Sequence, residues 1–142
     1  MSSTMQLDIV SVEGSIFSGE VEKVTVTGSQ GTLGIYPGHT PLLTSLKSGY
    51  VETVFKNGKE DYFFVSGGFV EVQPEGVTVL ADTAARAEDL DEEAASLAKK
   101  RAEQMLKGEK QPLRTKQAMN ELQKAIAQLQ VIQMLQKKVK NR

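Results

Sequence analysis

The chain has no cysteine, no tryptophan and only one histidine, His39. Without cysteine it has no disulfide, no thiolate metal site and no cysteine nucleophile. A single histidine excludes a multi-histidine metal site. A catalytic triad would have to recruit His39 from a loop where a base is poorly shielded from water. The residues therefore favour a binding or structural role over an enzyme.

Long apolar runs are also missing from the 142 residues. No stretch approaches the ~18 residues that span a bilayer, and the N-terminus lacks the basic-then-apolar order of a signal peptide. We therefore expect a soluble, cytosolic protein. Its length fits one medium domain or two small ones.

Acidic and basic residues are unevenly divided along the chain. Up to Ala85 ten acids accompany four bases, whereas from Pro112 onward Glu121 is the only acid. The bases of this last segment are Arg114, Lys116, Lys124, Lys137, Lys138, Lys140 and Arg142. This division indicates that the tail meets an acidic partner or folds back on the acidic half. Nucleic acid is disfavoured, because the basic segment has no aromatic residue for base stacking.

The first 85 residues show short alternating segments separated by turn signals, a pattern typical of an antiparallel sandwich or flattened barrel. The predicted strands cover residues 6–12, 15–17, 21–27, 50–56, 59–66, 69–73 and 77–81. Asn57-Gly58 predicts a hairpin with a type I′ turn, in which both residues have positive φ. Gly67-Gly68 predicts a break between strands.

A rigid corner at Pro37 and Gly38 lies in the segment from Thr32 to Leu46. Proline followed by glycine favours a type II turn, with positive φ at the glycine. Leucines on both sides anchor the corner, and His39 follows it directly. The pattern predicts a stiff polar contact loop; an ordinary turn with a solvated histidine is the alternative.

After residue 85 the composition changes to strong helix formers. Asp89 and Glu92 fit a capping box, and Gly108 fits a glycine cap, so a first helix is expected from about Leu90 to Lys107. Pro112 is well placed to open a second helix. Two helices and a short loop predict an antiparallel hairpin. Its alanine-rich seam buries little apolar area, so we expect the hairpin to be weakly held and able to offer its apolar face to another surface. An ordinary, stably packed hairpin is the alternative.

Four segments carry a resemblance to a known family. They are VTVTGSQGTLG, GIYPGHTPLLTSLKSG, FVSGGFVEVQPEGVTVLADTA and ARAEDLDEEAA. The chain resembles the epsilon subunit of bacterial F-type ATP synthase over essentially its whole length. The resemblance implies an α+β fold with a flattened antiparallel β-sandwich of about ten strands over residues 1–85. A C-terminal two-helix hairpin over residues 86–142 follows.

The resemblance also implies a place and partners. The family is a non-catalytic rotor subunit of the central stalk, at the cytoplasmic face of the inner membrane. It binds the gamma subunit and sits on the membrane ring of proteolipid subunits, and no metal or cofactor is implied. Ser11, Thr32 and His39 match positions that touch the ring. Thr32 departs from the glutamate that relatives often carry.

Regulation in this family resides in the C-terminal helices. They are compact against the sandwich in one state, and in the other they extend along gamma among the alpha and beta catalytic subunits, suppressing ATP hydrolysis. The residues assigned to this action are Arg114, Lys116, Leu122, Lys124, Ile126, Leu129, Ile132, Lys137 and Lys138. A helix from Pro112 to Arg142 would be about 46 Å long, at ~1.5 Å per residue.

ATP sensing at the domain junction is the alternative function. The residues that match the family's nucleotide motif are Leu90, Asp91 and Ala95. Ala94 replaces its arginine and Ala85 replaces a glutamate, while Arg101 remains as a candidate phosphate partner. Losing a charged phosphate contact should weaken binding by a few kcal/mol, so ATP is a possible but doubtful ligand.

Overall fold

A computed structural model describes residues 3–140, so residues 1–2 and 141–142, with the basic Arg142, lie outside the described residues. The strands are β1 Met5–Ser11, β2 Gly14–Val21, β3 Lys23–Gly28, β4 Gly31–Ile35, β5 Leu42–Val54, β6 Glu60–Gln73, β7 Gly76–Ala81 and β8 Ala84–Arg86. A 3₁₀ turn, Ala87–Asp89, leads into helices α1 Glu92–Gly108 and α2 Pro112–Lys140. The predicted α+β class with a C-terminal helical hairpin is confirmed.

The strands form one sheet in the order β2-β1-β7-β6-β5-β3-β4, with β8 paired to β6. The described residues hold eight strands, fewer than the ten or so that were expected. The count differs because β5, with 13 residues, and β6, with 14, each run through both halves of the sheet.

Strand β6 continues through Gly67-Gly68, so the predicted break is wrong. Both glycines have positive φ, at 112° and 115°, and a Cβ on Gly68 would collide with the backbone oxygen of Leu80. Phe63 and Val65 face the core before this pair, and Val70 and Val72 face it afterwards, so the core-facing positions change from odd to even numbers. The pair marks a kink at which the two faces of the strand exchange, while the pairing of β6 with β5 keeps a single register from Leu42 opposite Val72 to Val54 opposite Glu60.

One strand pair departs from the antiparallel expectation. β1 runs parallel to β7, from Gln6 opposite Gly76 to Ser11 opposite Ala81, whereas the other pairs are antiparallel. A parallel pair needs a crossover of a dozen residues or more, usually a helix. Here strands β2 to β6 themselves make the crossover, which the local pattern could not reveal.

Strands from opposite ends of the sheet share one core. Leu7 and Ile9 of β1, Val26 of β3 and Ile35 of β4 are fully buried and belong to one hydrophobic cluster. Alternate residues of each strand point to the same side. The sheet is therefore folded over on itself around this core, as a sandwich.

The predicted β5–β6 hairpin is confirmed, but its turn type is not. Gly58 has φ of 86°, whereas no non-glycine residue in the described part of the chain has positive φ, which excludes type I′ at Asn57-Gly58. The Gly58 amide donates to the Phe55 carbonyl at 2.9 Å, and the Phe55 amide donates to the Lys59 carbonyl at 2.8 Å. This is a type I turn followed by a glycine bulge.

The helix ends differ from the predicted caps. The N-cap of α1 is Asp91, whose carboxylate accepts from the Ala94 amide at 3.1 Å, so Asp89 is not the capping residue. Gly108 is the last residue of α1, and Glu109 caps it with φ of −89°. Pro112 opens α2 as predicted. In residues 3–140, neither helix combines the length and apolarity of a membrane span.

Candidate functional site

The helical hairpin packs on the outer face of the sheet through a second, smaller hydrophobic cluster, which we call the docking cluster. Its buried members are Tyr62, Phe64, Ala87, Ala127 and Val131, and Tyr50, Leu90, Met134 and Leu135 pack around them. Tyr62 and Phe64 alternate along β6 with the core residues Phe63 and Val65. The strand therefore supplies both the core and the docking surface.

Helix α2 uses two faces. Ala127 and Val131 belong to the docking cluster. A second set of buried residues at seven-residue spacing lies outside it, namely Ala118, Ala125 and Ile132 on α2 with Ala95 and Ala102 on α1. Seven-residue spacing keeps side chains on one helix face, so this set forms the seam of the hairpin. The Gln136 amide donates to the Glu92 carboxylate at 3.0 Å, which ties the end of α2 to the start of α1.

The regulatory residues predicted on α2 occupy different environments. Ile132 is buried, and Leu122 and Leu129 are half-buried. Ile126 is 46 % exposed, apart from both packed faces. Val131, which sequence reasoning passed over, is fully buried. A sequence signal for it exists: Ala127, Val131, Met134 and Lys138 recur at helical spacing.

The basic tail contacts the acidic half at Lys138. Its Nζ donates to the backbone carbonyl of Glu60 and lies 5.8 Å from the centroid of the Tyr62 ring. The Tyr62 hydroxyl donates to Glu60 Oε2 at 2.6 Å. We call these three residues the Lys138 anchor. Of the other predicted bases, Lys124 is half-buried, and Arg114, Lys116 and Lys137 are exposed.

Two carboxylates make the surface beneath the anchor electronegative. Burial raises the pKa of Glu52, the negative charge of Glu60 raises it further, and Lys23 opposes the shift. Burial also raises the pKa of Tyr62, with its hydrogen bond to Glu60 and the two carboxylate charges acting in the same direction. The Tyr62 hydroxyl is thus held protonated as a donor.

The three predicted ring-contact residues lie at separate points of the sandwich. Ser11 ends β1, half-buried, and its Oγ accepts from the Glu13 amide at 3.2 Å. Thr32 is exposed on β4, opposite Thr27 of β3. His39 is half-buried, and its Nδ1 is 2.6 Å from the Thr40 carbonyl. Since a carbonyl only accepts, that ring nitrogen carries a proton.

The predicted rigid corner before His39 is present. Gly38 has φ of 82°, and its amide donates to the Pro74 carbonyl at 2.9 Å. The corner borders a depression that Met5 also lines, at the start of β1. Ser11 is at the other end of that strand, about 20 Å away at ~3.3 Å per residue. His39 and Ser11 therefore do not form one cluster.

The four residues proposed for nucleotide binding do not converge either. Leu90 packs at the docking cluster, Asp91 caps α1, and Ala95 is buried. Arg101 is exposed ten residues beyond Asp91, about 15 Å along the helix. Across residues 3–140, no group of three histidine, cysteine or acidic residues is arranged to hold a metal ion.

An exposed apolar row crosses the other half of the sheet. Val10 lies opposite Leu80, Leu80 opposite Phe69, and Leu43 is the diagonal neighbour of Phe69. Leu43, Phe69 and Leu80 are each more than 50 % exposed. Contiguous exposed apolar surface commonly marks an interaction site.

The fold defines a two-part protein with interaction surfaces. A helical hairpin packs on one outer face of the folded-over sheet, and an exposed apolar row lies on another. Two family models match consecutive parts of the chain. The ATP synthase delta/epsilon chain β-sandwich domain matches residues 4–87, and the long α-helix domain of the same chain matches residues 88–133. The chain belongs to the ATP synthase delta/epsilon family, which confirms the resemblance drawn from the sequence.

Two solved structures share this fold. A chain of the Euglena gracilis mitochondrial ATP synthase, in a structure of its OSCP/F1/c-ring in rotational state 1, matches with a TM-score of 0.81 and 22 % identity. That match covers 89 % of this chain and 80 % of the other. A chain of the Tetrahymena thermophila mitochondrial ATP synthase central stalk and c-ring matches with a TM-score of 0.59 and 16 % identity, covering 90 % and 96 %.

Proposed function

We propose that this chain is a non-catalytic rotor subunit of the central stalk, peripheral to the cytoplasmic face of the membrane. In this role it couples the catalytic part of an F-type ATP synthase to the membrane ring and restrains ATP hydrolysis through its C-terminal helices. Family membership supports the complex. The two similar structures, described as F1/c-ring and central stalk/c-ring assemblies, support the place.

The observation that carries the regulatory part is the small contact between α2 and the sheet. This helix has 29 residues, about 44 Å at ~1.5 Å per residue, yet the docking cluster takes only Ala127 and Val131 from its buried residues. Fully burying a valine is worth roughly 1.5–3 kcal/mol. Docking worth a few kcal/mol is the range in which a partner can shift a two-state equilibrium.

The surfaces left free by the compact state suit the proposed partners. We assign the apolar row from Val10 to Leu43 to the gamma subunit, because an apolar surface of this extent is stabilised by a permanent partner. The exposed bases Arg114, Lys116 and Lys137 suit acidic segments of the alpha and beta subunits in the extended state.

Ser11, Thr32 and His39 are proposed to contact the proteolipid ring. The corner before His39 supports this role, since the hydrogen bond from the Gly38 amide to the Pro74 carbonyl restrains the loop that would make the contact. Thr32 offers a hydroxyl where relatives often offer a carboxylate, so contact there is by hydrogen bonding. No observation favours nucleotide sensing, because Asp91 caps α1 and Ala95 is buried in the hairpin seam.

Truncation of the chain after Gln111 tests the inhibitory role. Removing α2 should raise ATP hydrolysis by the assembled enzyme, because the segment proposed to block rotation is gone. The full-length chain, reconstituted in parallel, is the control, and co-purification of the truncated chain shows that the sandwich still binds. Unchanged hydrolysis with the truncated chain bound would contradict inhibition.

A further inference from the structure

Helix α2 is held to the sheet mainly through its C-terminal half. The docking cluster takes residues between Ala127 and Leu135, whereas Leu113 at the start of the helix is exposed. Beyond Leu135, the Lys138 side chain contacts the sheet. Lys138 therefore anchors the last turn of α2 to the sheet.

The surface that contacts Lys138 presents groups that bind an ammonium ion. The face of the Tyr62 ring and the Glu60 carbonyl offer a cation–π contact and a hydrogen-bond acceptor. The Tyr62 hydroxyl donates to the Glu60 carboxylate, which fixes the orientation of the ring. Glu52 lies directly opposite Tyr62 on β5 and adds a second negative charge.

Other charged groups around this surface do not replace Lys138. Lys23 of β3 offsets part of the Glu52 charge. Lys137 borders the same depression as Glu60 and Tyr62 and is exposed. The cation–π contact with Tyr62 and the hydrogen bond from the charged Lys138 donor both stabilise the docked ammonium group.

We infer that the outer face of β5 and β6 carries a receptor site for the Lys138 ammonium, and that occupancy of this site latches the hairpin in its compact state. This inference rests on the proposed switching of the helices. High salt screens the two carboxylates and weakens the latch. Release then begins at the last turn of α2 and exposes the docking cluster.

The absence of native cysteine allows a direct test on the full chain. A thiol introduced by Ala87→Cys lies in the docking cluster, and one introduced by Ala118→Cys lies in the hairpin seam. Reaction of each thiol with a disulfide reagent under native conditions measures how often its site opens. Lys138→Met, which keeps the aliphatic stem, is compared with Lys140→Met on the exposed surface of the same helix.

Lys138→Met should raise the labelling rate of the Ala87→Cys chain about tenfold, the factor that ~1.4 kcal/mol produces. Labelling of the Ala118→Cys chain should change little, since the hairpin detaches intact. One molar salt should accelerate labelling of the Ala87→Cys chain, and it should do so much less when Lys138→Met is also present. Equal labelling rates for Lys138→Met and Lys140→Met would overturn the latch.

A second substitution identifies the receptor. In a Glu60→Gln background the effect of Lys138→Met should shrink, because one charge that attracts the ammonium is gone; an undiminished effect would overturn the assignment of Glu60. These labelling rates do not depend on hydrolysis. If the latch fails while truncation after Gln111 still raises hydrolysis, the proposed function stands. If the latch holds and truncation has no effect, the proposed function falls.

Discussion

Replacing Val131 by alanine should loosen the hairpin from the sandwich without unfolding either part. Val131 is fully buried in the docking cluster, whereas Val139, two turns further along α2, is 60 % exposed. Each substitution removes two carbon atoms, worth ~1.6 kcal/mol at ~0.8 kcal/mol per buried CH₂. A residual cavity raises this cost to about 2 kcal/mol at Val131, while at Val139 little burial is lost.

Val139→Ala is a matched control, because the gain in helix propensity on replacing valine by alanine is similar at both positions. A change of ~2 kcal/mol alters the docking equilibrium about thirtyfold. Labelling of a thiol introduced by Ala87→Cys, which the docked helix covers, should therefore accelerate about thirtyfold with Val131→Ala. Equal rates for the two alanine variants would refute the claim that this cluster holds the compact state.

Two further predictions follow from the sandwich. Burial and a neighbouring carboxylate raise the pKa of Glu52, so the folded state favours its protonated form. Glu52→Gln should therefore stabilise the chain at pH 7 by about 0.5 kcal/mol, a small gain because the carboxyl is largely solvated. The gain should shrink as the pH falls through the raised pKa of Glu52 and vanish below the unperturbed value of 4.5, as urea unfolding at pH 7 and below pH 4.5 will show; an equal gain at low pH would contradict the assignment. His39→Ala should weaken seating on the membrane ring, measured by pull-down, and leave inhibition of detached F1 intact; loss of that inhibition would contradict the proposed division of roles.

Local signals predicted where the chain turns better than how it turns. Asn57-Gly58 marked the hairpin, but the type I turn depends on how β5 and β6 pair around it, and φ at Asn57 is negative. Gly67-Gly68 was expected to end a strand and instead lies at a kink within β6, across which the pairing with β5 keeps one register. In both cases the same glycine-containing sequence is compatible with two backbone conformations, and the strand pairing in the folded protein selects one of them.

The periodicity of the sequence could not predict pairing between strands that are far apart in the chain. The parallel contact of β1 with β7 joins segments about seventy residues apart, and local patterns carry no information on such pairs. The docking face was missed for a different reason. Tyr62, Phe63, Phe64 and Val65 form a continuous apolar run, so alternation could not tell which side faces the core.

The candidate site was predictable only in part. The helical hairpin and the basic character of its tail follow from composition and from Pro112, and the return of the tail to the acidic half is seen at Lys138. Ser11 and Thr32 have no local signal of their own, since a hydroxyl at a strand end is common. Their assignment depends on the family resemblance and stays a prediction.

The most direct test of the switch is to lock the compact state reversibly in the assembled enzyme. Ser48 and Gln130 line one depression between β5 and α2, so thiols from Ser48→Cys and Gln130→Cys can be bridged by a short bis-thiosulfonate crosslinker. Chains with one thiol serve as the control. Crosslinking should bring ATP hydrolysis to the rate of the enzyme truncated after Gln111, and reduction should restore inhibition. Hydrolysis that remains inhibited while the helices are locked on the sandwich would contradict the account.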